Sequence, residues 1–391
     1  MRPTQEQEEL RSAVRSLLAR QEGAKAWRPL TEQIGAAGLC VPEEYGGAGY
    51  GAVEVHVVMA ELGRVLSPVP YLGSAVATVQ ALLASGDDAA CARLLPGIAA
   101  GTAVGALAWA EDGTWDPAAV RSTAAPGPGG SWRIHGVKQY VLDGATADVL
   151  LVVARTDAGV SLFEVAADDP GVRATPSVTM DGTRPLARLT CEGAEGRLIG
   201  ADGDGARVLS RVLDLVCTAL AAEQVGAAER CLEITVAHVR ERVQFGRPLG
   251  SFQAVKHRLA DAYVLVESAR SAALGAAFAA AETDADADAD AGTGSGSGGL
   301  SRYAAVAKST CSEAFSMVAG EMIQLHGGIG ITWEHDAHRY FKRAHGSSQL
   351  FGPPAWHRAR LARGLGLTEN GRPDREARQE RRERQERKET A

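Results

Sequence analysis

The chain has 391 residues, 45% hydrophobic and 23% charged, too long for one small core and ordinary for a globular protein of two or three domains. A formal net charge of -7, from 41 basic and 48 acidic residues, gives no electrostatic reason to bind nucleic acid or anionic lipid. Apolar runs such as 149–154 and 272–281 are too short or too alanine-rich to span a bilayer, and the polar, acidic first ten residues are not a secretory signal.

From residue 5 to about 100 the pattern is helical. Leu10, Val14, Leu17 and Leu18 mark one stripe at helical spacing. Residues 52–66 and 74–85 predict further helices, and the Gly-rich stretch 38–51, with its proline, predicts a loop. From about 103 to 200 the character changes to short runs of strand chemistry: 104–109, 132–135, 138–142, 149–154, 160–165 and 186–190. Pro, Gly and Asp separate them, as in 125–131, so a small antiparallel sheet or barrel is expected. From 206 to about 367 the chain is helical again. Candidate helices over 206–244, 251–282 and 300–326 exceed the usual globular length, as in an antiparallel bundle. The Asp-Ala and Gly-Ser repeat of 284–299 predicts a flexible connector with no metal role. The Arg/Glu-rich tail 368–391 predicts disorder or a frayed helix. The six cysteines are scattered, without CxxC spacing, and read as buried thiols in a reducing, cytoplasmic compartment.

Two stretches carry chemistry. In 239–257 a helix runs into Arg242, breaks at Phe245 and Gly246, and restarts near Ser251, Phe252 and Gln253. A guanidinium forks onto phosphate oxygens and an aromatic ring offers a stacking face. The alternative is an arginine that answers the helix dipole and stays solvated. In 321–332 a helix ends in Gly327, Gly328 and Gly330, the reverse of the strand–glycine–helix order of a dinucleotide fingerprint. Gly327 and Gly328 at positive φ would cap that helix. Gly330, with Gln324 at the same end, suggests close approach of something to the backbone. His335 and His338 lie three apart without a third ligand at suitable spacing, so a polar surface role is expected over a metal.

Taken in order, the stretches 41–49, 242–261 and 324–344 resemble the acyl-CoA dehydrogenase family, over the whole chain except the connector and tail. The resemblance implies an α+β multidomain fold: a helical N-terminal domain (1–102), a small central β-domain (103–205) and a C-terminal four-helix bundle (206–367). It implies FAD between β-domain and bundle, in a homodimer, homotetramer or heteromer with a related subunit, and no metal. Arg242, Phe245 and Gly246 would meet the diphosphate and adenine side, with Leu249, Phe252 and Gln253 lining that pocket. Gln324, Gly327 and Gly328 would close over it from the partner chain. Ala110, Tyr140 and Leu142 fall where the family contacts the flavin ring, with Ala110 and Leu142 in place of threonines.

The implied reaction is α,β-desaturation of an acyl-CoA or acyl-carrier thioester, with electrons passed to an electron-transferring flavoprotein or another acceptor. Its general base, a carboxylate in the family, falls here on Phe351 or Val216. Loss of such a base costs roughly 10²–10⁴ in rate. Glu223, two helical turns beyond Val216 on the same face, is the candidate substitute, against its reading as a paired structural carboxylate. Asp214 points elsewhere. Other readings are a base supplied by a related partner, a non-catalytic subunit that completes the FAD pocket, and a flavin monooxygenase of the same fold.

Overall fold

The computed structural model describes residues 4–289 and 297–367. The tail 368–391 and part of the connector lie outside these residues. Helical backbone runs through the connector's two ends, to Ala289 and from Ser297.

The N-terminal part is helical: α1 (Gln5–Arg20), α2 (Trp27–Ile34), α3 (Ala52–Arg64), α4 (Val79–Ser85) and α5 (Asp88–Ala99). Thr4 starts α1 in a capping box with Gln7, and Val14, Leu17 and Leu18 are buried as their spacing requires. The helix expected over 74–85 begins earlier, as a wide π-helical segment Tyr71–Thr78 that leads into α4.

The middle part holds β1 (Gly105–Ala108), β2 (Thr123–Pro126), β3 (Trp132–Leu142), β4 (Val149–Arg155), β5 (Val160–Ala166), β6 (Val172–Pro176) and β7 (Leu186–Ile199). The pairings β4–β2–β3–β7–β5–β4 close into a small barrel, with β1 added to β4 and β6 to β7. Two expected strands, 132–135 and 138–142, are one strand with irregular register against β7. β2 and β6 escaped sequence reading because they are mostly solvent-exposed, so no alternation marks them. The sheet is mixed rather than antiparallel, since β1 and β2 run parallel to β4.

The C-terminal part has α6 (Gly205–Glu241), a two-stranded hairpin of β8 (Val243–Gln244) and β9 (Arg247–Pro248), α7 (Gln253–Ala289), α8 (Ser297–His326), α9 (Ala337–Gln349) and α10 (Pro354–Gly364). α3 crosses α6 at two glycines. A Cβ on Gly63 would sit 2.0 Å from the Glu223 carbonyl, and one on Gly226 would sit 1.9 Å from that of Ala60. Only glycine permits this approach, and it locks the N-terminal helices onto the middle of α6. The segment Gln253–Thr283 of α7 is long and apolar enough to cross a membrane, with mean hydropathy 1.3. It packs here against α6 and α8.

Candidate functional site

A cleft of about 450 Å³ opens between barrel and bundle, within the size range of small-molecule sites. The barrel side supplies Trp115, Tyr140, Leu186 and the 179–184 loop; the bundle side supplies His345, Gly346 and Gln349 of α9, with Leu350 and Pro353 beyond it. Trp115 is held in place indirectly. It lies on the 111–122 loop, where buried Glu111 accepts from the Lys138 ammonium of β3 and from the Ser122 hydroxyl and backbone N–H. Tyr140 takes a positive φ of 56°, and its ring lines the cleft.

The other two expected ring contacts are placed differently. Ala110 is buried, its carbonyl taken by the Gln139 N–H at 2.9 Å. Leu142 is buried and lines a second cavity of about 20 Å³, shared with Asp143, Arg184 and Glu223. Neither lines the cleft itself. Burial lifts the Asp143 carboxyl to about 7, against the opposing pull of Arg184.

Glu223 sits inside a buried ion-pair cluster. Arg184 donates to both of its carboxylate oxygens, and Arg343 donates to one at 2.9 Å. Arg343, 1% exposed, also pairs with Asp181 at 2.8 Å and donates to the Thr183 hydroxyl and carbonyl. Burial alone would raise the Glu223 carboxyl, but Arg184 and then Arg343 outweigh it and hold it below the usual range. A carboxylate so stabilised is a poor proton acceptor. The expectation of Glu223 as substitute base is therefore corrected: its two arginines make it structural. Asp214 is likewise paired, with Arg360 at 2.6 Å.

The two positions that carry the base in the resembling family are sealed. Val216 is fully buried in α6. Phe351, 1% exposed, stacks on Trp109 with centroids 5.6 Å apart at 8° and meets Trp115 edge-on at 4.9 Å. Trp109 donates its indole N–H to the Trp115 carbonyl at 3.3 Å. This three-ring cluster closes the space next to residue 351.

The Arg242 corner is a tight hairpin. Phe245 (φ 54°) and Gly246 (φ 76°) form its turn, the doubly positive geometry of a two-residue loop. Leu249 leads a short 3₁₀ turn, and α7 starts at Gln253. Phe245 is 89% exposed. The Phe252 ring face is covered by the Arg247 guanidinium at 3.9 Å, and Gln253 hydrogen-bonds His257 at 2.8 Å. At the other bend Gly327 alone takes a positive φ (62°); Gly328 continues in a 3₁₀ turn. Gln324, Gly327 and Gly328 are exposed, whereas a Cβ on Gly330 would meet the Ile323 carbonyl at 3.0 Å.

Corner and bend lie at the same end of the bundle. His238, in the last turn of α6, stacks on His326, the last residue of α8, with centroids 4.2 Å apart. His326 in turn packs on His335 at 4.4 Å. His338 meets Trp333 instead, so His335 and His338 do not converge. Sequence reading missed Arg184, Arg343, Asp181 and His345. Only Arg343 left a signal: it shares the buried face of α9 with Ala337, Tyr340 and Ala344, where a charge needs partners.

Comparison with known proteins agrees with this architecture. The acyl-CoA dehydrogenase N-terminal, middle and C-terminal domain families match residues 4–102, 106–193 and 203–366. The chain belongs to the acyl-CoA dehydrogenase family. It is 40% identical over 369 residues to acyl-CoA dehydrogenase IpdE2 of Mycobacterium tuberculosis, across 90% of this chain and 95% of that one. Among solved structures it is similar to a variant of the Tcur3481-Tcur3483 steroid ACAD (TM-score 0.77, 33% identity, 92% and 97% of the two chains). It is also similar to the ChsE4-ChsE5 complex of Mycobacterium tuberculosis (TM-score 0.81, 30% identity, 94% and 99%).

Proposed function

We propose that this chain is one subunit of an FAD-dependent acyl-CoA dehydrogenase whose catalytic carboxylate comes from a second, related chain. One observation carries the reading. Among the described residues that line the cleft the only carboxylate is Asp181, and Arg343 neutralises it at 2.8 Å. The solved relatives named as pairs, Tcur3481-Tcur3483 and ChsE4-ChsE5, support assembly from two different chains.

The residues fit FAD in two separate places. Tyr140 and Trp115 wall a cleft of suitable size for a flat ring, although Ala110 and Leu142 offer it no hydroxyl. The Arg242 guanidinium, unpaired among the described residues, suits a diphosphate, and exposed backbone at Gly327 and Gly328 suits phosphate oxygens. These places are far apart. Glu223, bonded behind the cleft, precedes Arg242, the residue that follows α6, by 19 residues, roughly 28 Å at 1.5 Å per residue. So the corner of one chain serves the cleft of its neighbour, with Arg242, Phe245, Gly246, Leu249, Phe252 and Gln253 on the corner side; Gln324, Gly327 and Gly328, expected to reach over from the partner chain, join that same side because His238 and His326 bring the two bends together. When bound, FAD supplies the hydride acceptor for the β-hydrogen of the thioester. Electrons then leave to an external acceptor such as an electron-transferring flavoprotein.

A second reading rests on His345, which lines the cleft and makes no ion pair among the described residues. It would let the chain act alone with an imidazole base. The test is to purify the chain alone and with a related, carboxylate-bearing chain, then record visible spectra and anaerobic bleaching with acyl-CoA, steroid-derived ones included. Bleaching only in the pair is the expected result. Bleaching by the chain alone, lost in His345→Ala, favours the second reading; absence of flavin bands in both preparations ends the FAD assignment.

A further inference from the structure

Lys308 on α8 is a fully buried cation without a carboxylate partner among the described residues. Its ammonium donates to the Ser312 hydroxyl at 3.1 Å and to three main-chain carbonyls: Ser347 at 3.2 Å, Ser348 at 3.0 Å and Gly352 at 3.1 Å. We propose that Lys308 is the positioning residue of the cleft: by gripping these carbonyls it fixes the 349–352 turn and keeps the Phe351 ring against the barrel.

The turn needs such a grip. Phe351 has φ 60° and Gly352 φ 103°, and a bulky side chain at positive φ persists only where its surroundings over-determine it. The α9 C-terminus presents unsatisfied carbonyls and the negative end of a dipole, which a cation satisfies. His357 of α10 donates to the Phe351 carbonyl at 3.0 Å, and Gln224 of α6 donates to the Ser347 hydroxyl at 3.1 Å. The carbonyls of 347, 348, 351 and 352 are thus all held from outside the turn. That same turn sets Gln349, Leu350 and Pro353 on the cleft wall and seats Phe351 on Trp109 and Trp115.

A purely structural lysine and a positioning lysine differ in their response to pH. Burial lowers Lys308 to about 8. The titratable groups around it are Cys217 of α6, Cys311 of α8 and His357 of α10, which burial moves to about 12, about 12 and about 3; the serines of α9 do not titrate. Only Lys308 changes charge here near pH 8. Because its folded value lies below its unfolded one, the unfolded chain holds more protons between them. Global stability from this group therefore rises with pH across that window. The neutral amine, however, has one N–H fewer and no charge to set against the carbonyls, so the turn loosens while the fold does not.

The experiment follows near-UV circular dichroism and tryptophan fluorescence of the full chain from pH 7 to 9, beside thermal unfolding. The wild type should show a transition near pH 8 without loss of thermal stability. Lys308→Met should show the wild type's pH 9 spectrum already at pH 7, flat with pH, and Phe351→Leu should abolish the transition. A wild-type signal flat across this range overturns the proposal, as does a transition that persists in Lys308→Met. Should Lys308→Met not fold, the wild type and Phe351→Leu decide: a transition that survives loss of the ring overturns it.

Discussion

The middle and the C-terminal end of α6 are built on opposite terms. At the middle, Val216 and Glu223 are buried, and every charge is answered: Glu223 by Arg184 and Arg343, Asp214 by Arg360. At the end, Arg242 carries no ion pair among the described residues and Phe245 is 89% exposed. A buried charge left without an opposite charge or hydrogen-bond partners in its own chain costs the fold several kcal/mol. An exposed guanidinium and ring cost the fold little, and so can be reserved for a second molecule. The difference separates what holds this chain together from what it offers to others.

The sharpest way to break this contrast is Arg343→Met, which leaves Asp181 without its arginine and Glu223 with one. It should cost about 3–5 kcal/mol in urea unfolding; a cost no larger than that of Arg242→Met would erase the distinction. Next comes Asp143, beside the cluster. Its folded value of about 7 lies above its unfolded one, so the stability it lends is full below about pH 4 and is lost as pH rises through 7. Asp143→Asn should stabilise the chain at pH 8, by on the order of 2–4 kcal/mol, and have little effect at pH 4. Equal effects at both pH values would show that the carboxyl is not buried as described.

At the exposed end the effects move from stability to binding. Arg242→Gln should leave the unfolding midpoint within about 0.5 kcal/mol yet weaken flavin retention by the assembled enzyme roughly tenfold or more. Unchanged retention would return Arg242 to a solvated helix end. The smallest change is Phe245→Ser, with unfolding again within about 0.5 kcal/mol and a few-fold weaker assembly by sedimentation. A folding defect there would mean that the ring packs within its own chain.

Much of the fold could be read directly. The α1 stripe, the three long helices and the helix break at Phe245–Gly246 follow from local periodicity and turn chemistry, which need no distant partner; that the break is a two-stranded hairpin did not. β2 and β6 could not be read, because short, mostly exposed strands lack alternation. At the site, the corner and glycine bend were visible as motifs, but their adjacency through His238 and His326 was not. The fate of Glu223 was legible only as a pair of alternatives, since its helical position gave the face and not the arginines.

Sequence alone therefore determined the order of helices, strand-rich middle and bundle, the family, and the absence of a carboxylate at residues 216 and 351. Tertiary structure decided which charges are cancelled and which are free. Arg184 reaches Glu223 across 39 residues, Arg343 reaches it across 120, and Lys308 reaches Gly352 across 44. Ion pairs and carbonyl cages form between elements that meet only on folding, and no local pattern records their partners.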